Sequence, residues 1–251
     1  MIVALIDSGL GMLPTSAWLR KLRPDLDLLL LLDPDGAPWG PKSEDWVIDR
    51  VVATAEDAVR RGAEVIVLPC NTASVTALDH VRARFPNIPV IGTVPAIKPA
   101  AAVCSSVAIW ATAVTTASRY QAQLIEEFGN GAEVVGIACH GLVDAIESGD
   151  LDAVNEAIAA AAAQTPDRVE AVVLGCTHYP LVENQIAAAL PAGVRLFDSA
   201  PAVAAQTVRR IEALCRPSVG DGSVQVLLSG RRGELPEAAA VFGVAQELVV
   251  Q

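Results

Sequence analysis

The chain has 251 residues, 52% of them hydrophobic, with 29 acidic against 18 basic side chains and a formal net charge of −11 at pH 7. That composition can fill a core in one large domain or two small ones, and the acidic balance argues against a general nucleic-acid surface while leaving room for a small anionic substrate in a locally positive pocket. The apolar run at 26–32 is too short to span a bilayer, the first residues lack a secretory pattern, and five cysteines without a CxxC pair argue against a disulfide scaffold or a structural zinc, so a soluble cytoplasmic protein with free thiols and no membrane partner is expected.

The first residues, MIVALIDSG, form a compact apolar strand that breaks at Asp7, Ser8 and Gly9. A carboxylate and a hydroxyl at that edge serve either a ligand or the cap of the following helix, which the prolines place between about 14 and 24. Residues 26–32 read as a second buried strand, ending in DPDGAPWGPKS. This loop carries Pro38, Trp39 and Gly40 and is a candidate rim for a pocket, although Trp39 suits a core anchor almost as well. A scaffold helix is expected over 44–61, a strand up to Cys70, a helix over 73–85 and a short strand ending at Gly92. Helices separating successive strands favour a parallel sheet.

Pro95 and Pro99 mark a crossing segment, after which a second α/β pattern begins. A strand over 105–111 leads into Thr112 and Thr115, plausible binding hydroxyls that equally suit local backbone bonding. A helix to about 128, a strand over 133–138 and an alanine-rich helix over 152–164 follow. Strands at 194–197 and 224–228 flank a helix running to about 214, and a short final helix ends the chain.

Two stretches share one pattern. Residues 64–74, EVIVLPCNTAS, and 170–180, EAVVLGCTHYP, each run an apolar strand into a cysteine followed by small or polar residues. Open α/β sheets bind ligands at that strand edge, so Cys70 and Cys176 are delivered to equivalent places and could meet across one cleft. A thiolate can take a proton from a carbon acid while an opposing thiol donates one to the other face. Asn71, Thr72, Thr177 and neighbouring backbone N–H groups could hold a substrate carboxylate, and Asp7 and His178 could poise the two thiols. No nicotinamide, pyridoxal or metal motif is required, and the chain reads GLGMLP where a dinucleotide fingerprint would need GxGxxG.

Other readings stay open. Cysteine is often a small buried hydrophobe, which is the expectation for Cys104 and Cys215. A Cys-His nucleophile built on Cys176 and His178 explains one motif and leaves the other unused. Metal ligation by Cys139 with His140, or by Cys176 with His178, lacks a recognised zinc spacing. Glu147 suits a helix end, a substrate ammonium or the tuning of a catalytic pair.

With DSGLG at 7–11, PWGPKS at 38–43, CNTAS at 70–74, ATAVTTASRY ending at Tyr120, ESG at 147–149, GCTHYPL at 175–181 and DSA at 198–200, the chain resembles the cofactor-independent aspartate/glutamate racemases, most of all those acting on glutamate. The resemblance implies two related three-layer α/β domains with mainly parallel sheets, spanning 1–95 and 96–198, residues 199–251 returning to the first, and an active site between the domains. It implies Cys70 and Cys176 on opposite faces of the substrate α-carbon, Asp7 near Cys70, His178 and Glu147 assisting Cys176, and substrate contacts from Ser8, Pro38, Trp39, Gly40, Asn71, Thr72 and Thr177. It implies no cofactor and no metal, a small amino-acid substrate, a homodimer as in many relatives, and in a bacterial cell the supply of D-glutamate for peptidoglycan. Trp39 stands where the family's PYG loop has tyrosine, and Leu10 and Met12 interrupt a glycine-rich first loop, so aspartate or another amino acid is an alternative substrate. A Cys-His hydrolase and a noncatalytic ligand-binding protein are the alternatives from other classes.

Overall fold

In a computed structural model, residues 1–215, 217 and 220–248 are described; residues 216, 218, 219 and 249–251 of the C-terminal segment 199–251 lie outside the described residues. The chain divides into two compact units, one formed by residues 1–94 and 200–251 and the other by residues 95–199.

The first unit begins with β1 (Ile2–Asp7), a 3-10 turn (Leu10–Met12), α1 (Leu13–Leu22), β2 (Asp27–Leu32) and α2 (Glu44–Arg60). It continues through β3 (Ala63–Leu68), α3 (Asn71–Thr76), α4 (Leu78–Arg84) and β4 (Val90–Gly92). The second unit contains α5 (Ile97–Ala101), β5 (Ser106–Ala111), α6 (Ala113–Thr116), α7 (Arg119–Phe128), β6 (Glu133–Ala138) and α8 (Leu142–Ser148). It ends with α9 (Leu151–Gln164), β7 (Ala171–Leu174), a 3-10 turn (Tyr179–Val182), α10 (Glu183–Ala189) and β8 (Arg195–Phe197). The chain then returns to the first unit with α11 (Ala200–Glu212), β9 (Val224–Leu228), β10 (Arg231–Gly233), α12 (Glu237–Val241) and α13 (Val244–Glu247).

The first sheet has the order β10-β9-β2-β1-β3-β4, parallel except for the β9/β10 hairpin. The second has the order β6-β5-β7-β8 and is parallel throughout. Strands covered on both faces read as unbroken apolar runs, as β1 and β2 do. On α2 the buried residues Val47, Val51, Ala55 and Ala58 recur at helical spacing and join a core with Ala4, Ile6, Leu29, Leu31 and Ile66. In the second unit Ile97, Ala100 and Leu124 pack with Val107, Ile109, Ala171 and Val173. α11 lies along α1. The buried Arg20 on α1 secures the C-terminal segment as well, donating to the carbonyls of Pro24, Leu26, Ser223 and Leu248 at 2.7 to 3.3 Å.

Four sequence expectations change, the simplest being that the single short final helix is two, α12 and α13. The single helix at 73–85 is two helices meeting at Ala77. Val75 and Thr76 are β-branched, and the Thr76 hydroxyl donates back to the Thr72 carbonyl, a bond that bends helices. β10 was not anticipated, because RRG has no apolar alternation; its pairing is set by Ser229 and Gly230, whose φ of 46° and 82° form a tight hairpin turn. Cys215, expected in the core, is exposed: it lies beyond the last turn of α11 at φ 50°, where the chain leaves the helix and its buried face. Cys104 is buried, as expected.

Candidate active site

In the first unit, β1 and β3 are adjacent and parallel, with Leu5 beside Val67, so Asp7 and Cys70 emerge at the same sheet edge. Asp7 is completely buried, and its Oδ1 accepts the Ser8 backbone N–H at 2.7 Å and faces the Ser8 hydroxyl at 3.5 Å. Cys70 is in extended conformation just before α3 and is only 7% exposed, and its carbonyl accepts the Ser74 N–H at 2.8 Å. Asn71 and Thr72 occupy the first turn of α3 and are half-buried. Ser74 holds this turn to the sheet: its hydroxyl donates to the Leu68 carbonyl and accepts the Thr93 N–H, both at 2.9 Å.

The 38–40 loop has a divided character. Pro38 and Gly40 are exposed, whereas Trp39 is buried among core residues including Ile6, Leu68 and Cys70. The Trp39 indole N–H donates to Asp33 Oδ2 at 2.9 Å. A Cβ placed on Gly40 would be 4.0 Å from Thr72 Oγ1, so the loop backbone passes beside that hydroxyl. Leu10 and Met12, the departures in the first loop, are fully buried and fill core rather than the sheet edge.

In the second unit, β7 delivers Cys176 through Gly175, whose N–H donates to the Trp110 carbonyl at 2.7 Å. A Cβ on Gly175 would lie 2.7 Å from that oxygen and 2.9 Å from Ile109 Cγ2, so only glycine brings the chain this close to β5. Cys176 Sγ is 3.6 Å from His178 Nδ1, and His178 Nε2 is 2.6 Å from Glu147 Oε1 at the end of α8. Burial opposes charge on the His178 ring, but the Cys176 sulfur and the Glu147 carboxylate outweigh it and raise its pKa well above the ordinary imidazole value. The three groups form a continuous path for a proton.

Thr177 is half-buried beside the thiol. Thr112 and Thr115 follow β5 at the edge shared with β7. Their hydroxyls are 3.0 Å apart, and Thr112 Oγ1 accepts the Thr115 N–H at 3.3 Å, capping α6. Cys139, weighed in the sequence only as a metal ligand with His140, and Tyr179, given no role within GCTHYPL, also border this thiol. Burial pushes the Cys139 thiol up to about 12, with the Tyr179 hydroxyl pulling weakly the other way, so Cys139 stays protonated at neutral pH. Tyr179 is fully buried, and burial together with the two neighbouring thiols raises its pKa far above the ordinary phenol value. His80 is exposed on α4. Among the described residues no group of three or more His, Cys, Asp or Glu side chains could hold a metal ion, and no helix is long and apolar enough to cross a membrane.

Each unit thus presents a thiol at a strand end, Cys70 in the first and Cys176 in the second, with Asp7 at the same sheet edge as Cys70 and Glu147 relayed to Cys176 through His178. Residues 18–207 match the family model described as Asp/Glu/Hydantoin racemase. The glutamate racemase of Pseudomonas putida is 37% identical over 231 residues, covering 88% of this chain and 84% of the relative. The crystal structure of Escherichia coli glutamate racemase, in complex with L-glutamate and the activator UDP-MurNAc-Ala, superposes with a TM-score of 0.84 at 31% identity, covering 98% of this chain and 94% of that one. Thermus thermophilus glutamate racemase, in complex with β-chloro-D-alanine, gives a TM-score of 0.74 at 30% identity, with 98% and 92% covered. With Cys70 and Cys176 both inside the matched residues, the chain belongs to the Asp/Glu/Hydantoin racemase family of cofactor-independent racemases.

Proposed function

We propose that the protein interconverts L- and D-glutamate, with Cys70 and Cys176 working on opposite faces of the substrate α-carbon. The observation that carries this reading is the Cys176–His178–Glu147 chain in the second unit, matched by Cys70 at the equivalent strand end beside the buried Asp7 in the first. In one direction the thiolate of one cysteine takes the α-proton, and the electron pair is delocalised into the substrate carboxylate. The thiol of the other cysteine then delivers its proton to the opposite face; the reverse reaction exchanges the two roles. His178 and Glu147 return Cys176 to the required protonation state, and Asp7 serves Cys70. Asn71, Thr72 and Thr177, with Ser8, hold the substrate carboxylate and ammonium, offsetting the charge that develops on the carboxylate. In a bacterial cell this activity supplies D-glutamate for peptidoglycan.

Glutamate, rather than aspartate, is favoured by the relatives named above. A second reading, a Cys-His hydrolase, draws on the same Cys176–His178 pair but gives Cys70 no role. Both are tested by incubating each enantiomer of glutamate and aspartate in deuterated water while following α-deuteration and optical inversion. Inversion of both glutamate enantiomers, with deuterium entering the product, is the expected result. Absence of exchange and inversion with all four compounds, from correctly folded protein, would sink the racemase reading; a trapped acyl adduct would support the hydrolase.

A further inference from the structure

The 33–40 loop is gripped by a carboxylate with no part in the two-thiol chemistry. Asp33 follows β2 and is 2% exposed. Its Oδ2 accepts the Trp39 indole N–H at 2.9 Å and Arg50 Nε at 2.7 Å. Its Oδ1 accepts the Ser229 hydroxyl at 2.8 Å and pairs closely with the second guanidinium arm of Arg50. Ser229 Oγ also accepts the Asp35 N–H at 3.1 Å, and the Asp33 carbonyl accepts the N–H groups of Gly36 and Ala37. The loop closes directly over the carboxylate: a Cβ on Gly36 would lie 2.2 Å from Asp33 Oδ2 and 2.8 Å from the Trp46 ring. One buried group therefore gathers the end of β2, α2 and the hairpin turn after β9 around a single indole.

The loop alternates between two environments. Trp39 is 1% exposed, while the next residue, Gly40, is exposed and passes beside Thr72. A rigid bicyclic ring fixed at its N–H leaves the following peptide little freedom, so the position of Gly40 against Thr72 is set from the core side. We propose that Asp33, held by Arg50 and Ser229, is a positioning residue that fixes Trp39 and through it the 38–40 loop, and so sets which substrate side-chain length the site accepts. The specificity part rests on the reading that Thr72 borders the bound amino acid; the clamp itself does not.

The test uses Ser229→Ala, Asp33→Asn and Trp39→Phe in the full chain. Measured are kcat and KM for glutamate and aspartate, the melting temperature, and hydrogen exchange of the Trp39 indole N–H, assigned by its loss in Trp39→Phe. Ser229→Ala is expected to raise KM for glutamate about fivefold with kcat within about twofold of the parent, the pattern of lost substrate positioning rather than lost chemistry. Trp39→Phe should raise KM at least as much, and combining it with Ser229→Ala should add little, because both act through one indole. The glutamate-to-aspartate ratio of kcat/KM should fall in each. Unchanged KM and preference in both Ser229→Ala and Trp39→Phe would overturn the proposal, as would a loss of kcat that merely tracks melting temperature. Should the parent protein racemise neither amino acid, the function proposed above fails and indole exchange decides the clamp. Faster exchange in Ser229→Ala and Asp33→Asn supports it, and unaltered exchange overturns it.

Discussion

Glu147 reaches back from the end of α8 to within 2.6 Å of His178 Nε2, leaving Nδ1 of the same ring to face Cys176 at 3.6 Å. Two elements far apart in sequence thus determine which nitrogen of the imidazole serves the thiol. Glu147→Gln keeps the shape and removes the charge. It should lower kcat by about 10²-fold, the lower end of the range typical of a positioned acid or base. The Glu147 carboxylate is one of the groups that raise the His178 pKa, so the variant's ring should lose its proton at lower pH than the parent's and the activity profile should shift to the acid side. The stabilisation linked to this raised pKa is fully present below the ordinary imidazole value and fades as pH rises through the folded one. The stability gap between parent and variant should therefore narrow as pH increases, which denaturant melts at a series of pH values will check.

Replacing either Cys70 or Cys176 by serine raises the pKa of the group that must exchange the α-proton. Each single variant should lose inversion of glutamate by about 10²- to 10⁴-fold. Near-parental inversion by either one, followed by circular dichroism of the substrate, would remove that cysteine from the mechanism.

Gly175→Ala tests how closely Cys176 depends on backbone contact. The added methyl meets the Trp110 carbonyl oxygen and Ile109 Cγ2, neither of which is the free end of a flexible chain. Strand β7 must move away from β5 just before the thiol. A stability loss of about 1–3 kcal/mol is expected from overpacking of this kind, together with a fall in kcat larger than the unfolded fraction explains. Denaturant unfolding and initial rates on one preparation separate the two effects.

Asp33 gives a second pH signature. Burial acts to raise its pKa, but hydrogen bonds from Arg50, Trp39 and Ser229 outweigh this and hold it below the usual carboxylate value of 3.8. A depressed folded pKa gives stability that is present above 3.8 and is lost as pH falls from there through the folded value. Asp33→Asn should be less stable than the parent at neutral pH and should lose less on acidification through that window. Thermal melts from neutral pH down to strongly acidic buffer should show the two curves converging.

The strands of both sheets were largely legible because burial on two faces leaves an apolar run, as at residues 28–32 of β2 and 65–68 of β3. Cys70 and Cys176 stood out because two such runs end alike. What could not be read was anything depending on a partner distant in the chain. Trp39 reads as a pocket-rim residue that suits a core anchor almost as well, and only Asp33, Arg50 and Ser229 together place its ring inside. Thr112 and Thr115 look like binding hydroxyls in sequence, yet they first satisfy each other and the cap of α6. Tyr179 was hidden in the most recognisable motif of the chain because its neighbours Cys176 and His178 drew the chemical reading, while its burial beside Cys139 is a property of packing.

The placement of β9 beside β2 has a consequence for synthesis. β1 and β3, the strands that carry Asp7 and precede Cys70, leave the ribosome early, but the far side of β2 is closed only by β9, encoded after the whole second unit. Until then Leu28–Leu32 present an apolar strand edge of the kind that recruits other chains. The nascent protein must carry that edge while residues 95–199 are made, so slow elongation or stalling in the second unit would show itself as aggregation of the first.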